Sequence, residues 1–205
     1  MKLYYSPGAC SLSPHIVARE AGLPVTLVKV DLKGKKTDTG DDYHALSGKG
    51  YVPLLELDDG TRLTEGPAIV QYLADRAPAC KLAPANGTID RYRLQEWLNF
   101  ITSELHKQFS PLFDPTMPEE AKAKFRAKIT GRLDWIVGQI GNHPYLMGQD
   151  FTVADAYLFT VLNWAQYTGI DLARWPLLVA YVARVAARPQ VQAALTEEGL
   201  LKKAA

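Results

Sequence analysis

Cys10 and His106 are the side chains of this sequence best suited to act on another molecule. Cys10 follows the strand-like run 2–5 and the break at Pro7-Gly8, and it precedes a helix start within Ser11–Pro14. A thiol there feels the positive end of a helix dipole and unpaired backbone N–H groups, which favour its thiolate. The structural alternative is a small buried residue; the place after the first strand weighs towards chemistry. Ser13 stands where a dithiol redox motif carries its second cysteine. Cys10-Ser11-Leu12-Ser13 therefore closes no internal disulfide, and redox work needs an external thiol.

Three further segments carry polar groups at suitable places. Tyr51-Val52-Pro53 precedes a strand, where a proline needs no ladder N–H. A cis bond would turn the Val52 backbone outward to pair with an extended peptide, but only about 5–6% of X–Pro bonds are cis, so the residues alone favour trans. Thr64-Glu65-Gly66-Pro67 opens another helix. Glu65 offers a carboxylate to an ammonium, while Gly66 and the following turn offer N–H groups to a carboxylate, a pair that suits a free α-amino acid moiety. A plain helix cap with a dipole-favoured acid explains the same residues. Asn99, Ser103 and His106 fall at i, i+4 and i+7 as a polar helical stripe, with Glu104 and Lys107 beside them. His106 is suited to orient water or stabilise an anionic sulfur, or to serve as scaffold. Cysteine, histidine and acids never recur at ligand spacing, so no metal site is expected. Gly-rich phosphate loops and a Gly-x-Ser-x-Gly elbow are absent from the sequence. Thr152-Val153-Ala154-Asp155 is a variant capping box and reads as structural. His15, His44 and His143 suggest no specific chemistry.

The elements that position these groups change period near residue 80. Residues 2–5, 26–30, 54–57 and 62–64 read as four strands, the last two flanking the hairpin signal Asp58-Asp59-Gly60. A helix from the Ser11–Pro14 region to Gly22 separates the first two strands; residues 32–50 read as loop, and Pro67 opens a second helix. Strand, helix, strand, loop, hairpin and helix imply a mixed sheet covered by helices. Residues 77–87, with Pro78, Pro84 and Gly87, read as a linker. Beyond it, Leu94, Leu98, Ile101, Leu105 and Phe109 form the apolar stripe of one long helix. Residues 119–140, 152–169 and 176–188 supply three more. The expected domains are 1–78, a linker at 79–87, and an all-helical 88–205.

Composition excludes several classes. The 205 residues are 47% hydrophobic and 22% charged, as in an ordinary globule. With 23 basic against 22 acidic residues, and no basic run longer than Lys35-Lys36 or Lys202-Lys203, nucleic acid and anionic membrane are not expected partners. No apolar run approaches the roughly 18 residues of a membrane span, and the N-terminus does not read as a signal peptide. Two cysteines are too few for a secreted disulfide framework, so a reducing cytoplasm is the expected compartment.

Five segments together resemble the glutathione transferase family, most closely its bacterial beta class. They are Tyr4-Tyr5-Ser6-Pro7-Gly8-Ala9-Cys10-Ser11, Gly50-Tyr51-Val52-Pro53, Leu63-Thr64-Glu65-Gly66-Pro67-Ala68-Ile69, Trp97-Leu98-Asn99-Phe100 with Ser103-Glu104-Leu105-His106-Lys107, and Thr152-Val153-Ala154-Asp155-Ala156. The resemblance spans essentially the whole chain. It implies a thioredoxin-like N-terminal domain with a mixed four-stranded sheet, an all-α C-terminal domain, and a cis Val52-Pro53 bond. It further implies glutathione as co-substrate with no other cofactor, a small apolar electrophile as second substrate, and a homodimer. By the same carry-over Val52 pairs with the cysteinyl part of glutathione, Glu65 and Gly66 hold its γ-glutamyl end, and Lys35 contacts the tripeptide. Cys10 lies at the sulfur, with Tyr5 and Ser11 near it. Asn99, Ser103, Glu104, Leu105 and His106 complete the site, some of them from the neighbouring subunit. Ser47-Gly48 departs from the Asn-Pro of many relatives.

The implied reaction is attack of the glutathione thiolate on an electrophilic carbon. Alternatives sharing the site are a glutathione-dependent thiol–disulfide reductase working through a Cys10 mixed disulfide, and a glutathione-dependent dehalogenase. A non-catalytic binding relative is a further alternative.

Overall fold

A computed structural model describes residues 1–201, and the Lys202-Lys203 pair lies outside the described residues. The chain forms two compact units. One contains Met1–Ala83 and the segment from Ala187 onward; the other is Pro84–Ala186.

In the first unit β1 (Lys2–Tyr5) leads through a short loop to α1 (Leu12–Glu20), then β2 (Thr26–Asp31) and β3 (Lys36–Thr37). There follow α2 (Tyr43–Leu46), β4 (Leu54–Glu56), β5 (Arg62–Thr64) and α3 (Gly66–Arg76). The sheet order is β3-β2-β1-β4-β5, with β1 parallel to β2 and the other neighbours antiparallel. Central β1 buries Leu3, Tyr4 and Tyr5 in succession, as a strand covered on both faces must. Five strands replace the expected four. The addition is β3, whose Lys36 and Thr37 pair with Asp31 and Val30 inside the segment read as loop. Two polar residues carry no period from which such a strand can be read.

Local punctuation behaves as expected. Gly22 takes φ 64°, its N–H bonds to the Arg19 carbonyl, and Leu23 N–H reaches the Ala18 carbonyl, closing α1 with a Schellman motif. Asp59-Gly60 turns β4 into β5.

A helix beyond the expected set completes this unit. After Arg188, Pro189 opens α10 (Pro189–Glu197, numbered ahead in chain order), which buries Val191, Ala194 and Leu195. Its ends are tied to α1. Arg188 makes a two-pronged contact with Glu20 at 2.7 and 2.8 Å, the geometry that makes guanidinium–carboxylate pairs strong. Buried His15 faces Glu198 with Nδ1 at 2.9 Å and Glu197 with Nε2 at 2.8 Å. The other Glu198 oxygen accepts the Gly8 N–H at 2.9 Å, so the end of this helix holds the loop that carries Cys10.

The second unit is helical: α4 (Ile89–Phe100), a π-helical stretch Ile101–His106, α5 (Lys107–Phe109), α6 (Glu119–Ile140), α7 (Val153–Leu162), α8 (Ala165–Thr168) and α9 (Pro176–Ala186). The expected long helix is continuous but changes to π winding at Ile101. The expected helix over 152–169 breaks at Asn163-Trp164. Every residue of α7 is buried, the mark of a core helix. Its one carboxylate, Asp155, accepts from the Leu146 and Thr152 N–H groups, each at 2.8 Å, and from the Thr152 and Tyr181 hydroxyls at 3.0 and 2.8 Å. Among the described residues no helix is long and apolar enough to cross a membrane.

Candidate active site

In the first unit the loop Ser6–Ser11 delivers Cys10 to the Val52 carbonyl, 3.1 Å from its Sγ. The Val52-Pro53 peptide is cis, against the residue-based expectation and as the resemblance implied. Neighbouring groups hold this stretch. Tyr43 is fully buried and donates its hydroxyl to the Tyr51 carbonyl at 2.9 Å. Burial pushes that phenol up to about 12, so it stays a donor at any working pH. Lys35 donates to the Gly50 carbonyl at 2.9 Å and lies 5.7 Å above the Tyr51 ring. Gly50 itself sits at φ 63°, a left-handed conformation that L side chains rarely adopt, so the turn favours glycine.

Ser11 is fully buried at the N-cap of α1, yet its hydroxyl caps nothing. It accepts the Ser6 N–H at 3.1 Å and donates to the Ser6 carbonyl at 3.3 Å. Its one proton is thereby committed to shaping the Cys10 loop. Tyr5 ends β1 nearly buried, its ring 6.4 Å from that of His15, and burial raises its phenol above the ordinary value. The resemblance set both near the sulfur; their described contacts are with the loop and with α1.

Glu65 adopts φ 69° and ψ 112°, a region an L-residue rarely occupies, at the N-cap of α3. Backbone outliers of this kind gather at ligand clamps. Its carboxylate takes the Lys49 ammonium at 2.6 Å, and the same ammonium donates to the Thr64 hydroxyl at 3.1 Å. Gly66 begins the 11-residue helix behind it. Lys49 is a contact that sequence reasoning missed, since nothing in the pattern links it to a residue sixteen positions later.

The expected polar stripe of the second unit is divided. Ser103 and Asn99 remain exposed, with the Ser103 hydroxyl on the Asn99 carbonyl at 3.0 Å. Glu104 pairs with Arg132 at 2.6 Å. Leu105 is wholly buried, so its side chain belongs to the core. His106 turns elsewhere: its Nδ1 lies 2.7 Å from the Tyr157 hydroxyl, and its ring meets Trp164 edge-on at 4.8 Å. Ser103, Glu104 and His106 all lie within the π-helical stretch Ile101–His106, whose wider turn departs from the 3.6-residue spacing that set Asn99, Ser103 and His106 on one stripe. Phe109 and half-exposed Phe113 pack edge-on against the same Trp164, at 5.9 and 6.1 Å. Tyr157 and Trp164 went unmarked in the sequence because both fall inside an apolar run that reads as core.

Family models for the glutathione S-transferase N-terminal and C-terminal domains match residues 8–76 and 100–189. The glutathione S-transferase GstA of Escherichia coli O157:H7 is 51% identical over 200 residues, 98% of this chain and 100% of its own. A solved ternary complex of BphK, a bacterial glutathione S-transferase, shows 58% identity and a TM-score of 0.96, covering 98% of this chain and 100% of that one. A sphingomonad glutathione S-transferase solved with glutathione shows 48% identity and a TM-score of 0.95, with the same coverage.

Proposed function

The chain belongs to the glutathione S-transferase family, in its bacterial beta class, and on that premise we propose how its residues divide the work of the enzyme. The protein is a glutathione transferase, joining the thiol of glutathione to an electrophile. Small apolar electrophiles as the substrate class, and the residue roles that follow, are our reading. The observation that carries it is the 3.1 Å approach of the Cys10 thiol to the Val52 carbonyl. The cysteinyl residue of glutathione pairs with the Val52 backbone, which brings the peptide sulfur to Cys10. Glu65 takes the α-ammonium of the γ-glutamyl group, in the place Lys49 now holds, and Gly66 at the start of α3 meets its α-carboxylate. Lys35 contacts the tripeptide. Asn99, Ser103, Glu104 and the Leu105 backbone complete the ligand site, in part from a second subunit of a homodimer. Exposed Ile89, Tyr92 and Trp135 on α4 and α6 support such an apolar contact.

In the reaction the glutathione thiol releases its proton to solvent, and the thiolate forms a bond to the electrophilic carbon as the leaving group departs with its electron pair. A free thiol near an ordinary pKa of about 8.5 is mostly protonated at neutral pH, so stabilising the anion is the main task. His106 acts as donor to that charge. Tyr5 and Ser11 support the Cys10 loop. Cys10 without a partner thiol at position 13, where Ser13 stands, also favours disulfide reduction as a second activity. The Cys10 thiolate attacks the glutathionyl sulfur of a mixed disulfide and expels the other thiolate; a second glutathione then releases oxidised glutathione and restores Cys10. Glutathione serves as co-substrate without a resident cofactor, in the cytoplasm.

Wild type and Cys10→Ala are compared for retention on immobilised glutathione, conjugation of 1-chloro-2,4-dinitrobenzene, and reduction of a glutathione mixed disulfide. The variant is expected to be retained, to keep conjugation within about tenfold, and to lose the reductase activity for want of a sulfur to carry the mixed disulfide. Wild type that is neither retained nor active would sink the assignment.

A further inference from the structure

We propose that Glu198 is a positioning residue for Cys10: its buried carboxylate grips the chain on both sides of the thiol and so sets the sulfur in place. The proposal rests on the role given above to Cys10 in disulfide reduction and goes beyond it by naming the distant group that holds the thiol there. Local electrostatics alone would not put an acid at this position. Glu198 is the C-cap of α10, at the negative end of the helix dipole and directly after the acidic Glu197. Its side chain is nonetheless fully buried, and a carboxylate leaves water at low cost only where donors replace the solvent. A residue that breaks a local rule is expected to answer to a wider one. Its partners stand on either side of Cys10. Before the thiol, the Gly8 N–H donates to Oε2 at 2.9 Å. After it, on α1, His15 Nδ1 meets Oε1 at 2.9 Å, a contact that holds whichever of the two carries the proton.

The tether is rigid at its own end. Gly199 takes φ 72°, its N–H bonds to the Thr196 carbonyl, and the Leu200 N–H reaches the Leu195 carbonyl, closing α10 in a Schellman turn. That turn lays Leu200 over the loop: a Cβ on Gly8 would stand 3.5 Å from a Leu200 methyl, an ordinary packing distance. Glu197 anchors the same helix end, with Oε2 2.8 Å from His15 Nε2 and Oε1 on the Arg19 guanidinium. Gly8 itself sits at φ 70° with no side chain to pack, so the loop tip is held through its backbone. The base of the loop is closed separately, by Ser11 on Ser6. Glu198 therefore governs the tip, beside the thiol that lies 3.1 Å from the Val52 carbonyl. Reacting groups tolerate little error, since a misplacement of about 1 Å costs up to about a hundredfold in rate.

The test compares Glu198→Gln with Glu198→Met in the full chain. Glutamine keeps an oxygen for the Gly8 N–H, whereas methionine fills the space and offers none. Alkylation by iodoacetamide is followed against pH on the Cys10 peptide, with exposed Cys80 as the internal control. The Cys10 midpoint should rise by about half a pH unit in the methionine variant, as the thiol leaves the helix end, and stay at the wild-type value in the glutamine variant. Reduction of a glutathione mixed disulfide should fall about tenfold in the methionine variant, while conjugation of 1-chloro-2,4-dinitrobenzene stays within about threefold, because only the first reaction runs through the Cys10 sulfur. An unmoved midpoint in the methionine variant overturns the proposal. So does a midpoint that falls in both variants, since the carboxylate would then be felt through its charge and not its grip. An equal loss of both activities would mark general damage and overturn it as well. If the methionine variant does not fold, the wild type decides: a Gly8 amide that exchanges as fast as an unstructured glycine overturns the proposal, and a protected one supports it. Wild type without reductase activity would remove the second activity proposed for Cys10 and leave the alkylation profile to judge Glu198.

Discussion

Asp155→Ala will lower the unfolding free energy by about 4 kcal/mol, with the denaturation midpoint falling by about 10 °C, and the loss will appear in stability before it appears in any kinetic constant. The magnitude follows from what the carboxylate holds. Two backbone N–H groups and two hydroxyls converge on it in a fully buried place, joining the loop at Leu146, the start of α7 and Tyr181 on α9. Alanine leaves those donors buried and unmet, at about 1–3 kcal/mol for each that finds no substitute. Water and relaxation recover part of that sum, which is why the expected figure sits at its low end. Burial raises the Asp155 carboxyl above its ordinary value, while the four donors pull the other way. Two controls separate the network from generic damage. Asp155→Asn keeps one acceptor oxygen, serving one pair of donors and clashing with the other, and should cost about half as much. Tyr181→Phe removes a single bond and should cost about 1 kcal/mol. Chemical denaturation followed by tryptophan fluorescence and circular dichroism measures all three. An alanine variant as stable as wild type would mean that the network is ornamental.

Glu65→Gln will raise KM for glutathione about thirtyfold while kcat stays within about twofold. The carboxylate is the proposed partner of the γ-glutamyl ammonium, and a charged hydrogen bond that becomes buried under its ligand contributes roughly 2 kcal/mol. Loss of an interaction made equally in ground and transition states appears in KM alone. The present occupant of that carboxylate is no obstacle. The Lys49–Glu65 pair has side chains 54% and 64% exposed, and exposed pairs contribute less than about 1 kcal/mol. Removing the competitor by Lys49→Ala should therefore lower KM by no more than about fivefold. Steady-state kinetics at varied glutathione, with a fixed saturating electrophile, distinguish the outcomes. An unchanged KM in Glu65→Gln would place the ammonium elsewhere; a collapse of kcat as well would point to the strained turn at Glu65 as the element that was damaged.

What could be read along the chain was what local chemistry writes there. Gly22 closing α1, Asp58-Asp59-Gly60 turning β4 into β5 and Pro67 opening α3 each act within a few residues, so each is marked by composition at its own position. The family likewise rests on short segments in a fixed order, and it carried the cis Val52-Pro53 bond that the residues alone argued against.

Four features were beyond that reading. Strand β3 exists because two polar residues meet the end of β2, and α10 joins the first unit because Arg188, Glu197 and Glu198 meet Glu20, His15 and Gly8 from more than 160 positions away. The π winding from Ile101 to His106 keeps Ile101, Leu105 and Phe109 buried, so nothing in the apolar period announces it. Tyr157 then reaches His106 across 51 positions, out of a run whose composition speaks only of core. Periodicity and capping are short-range and survive in sequence. Pairing, docking and the direction of a side chain depend on which distant surface fills the space opposite, and that is settled when the core packs.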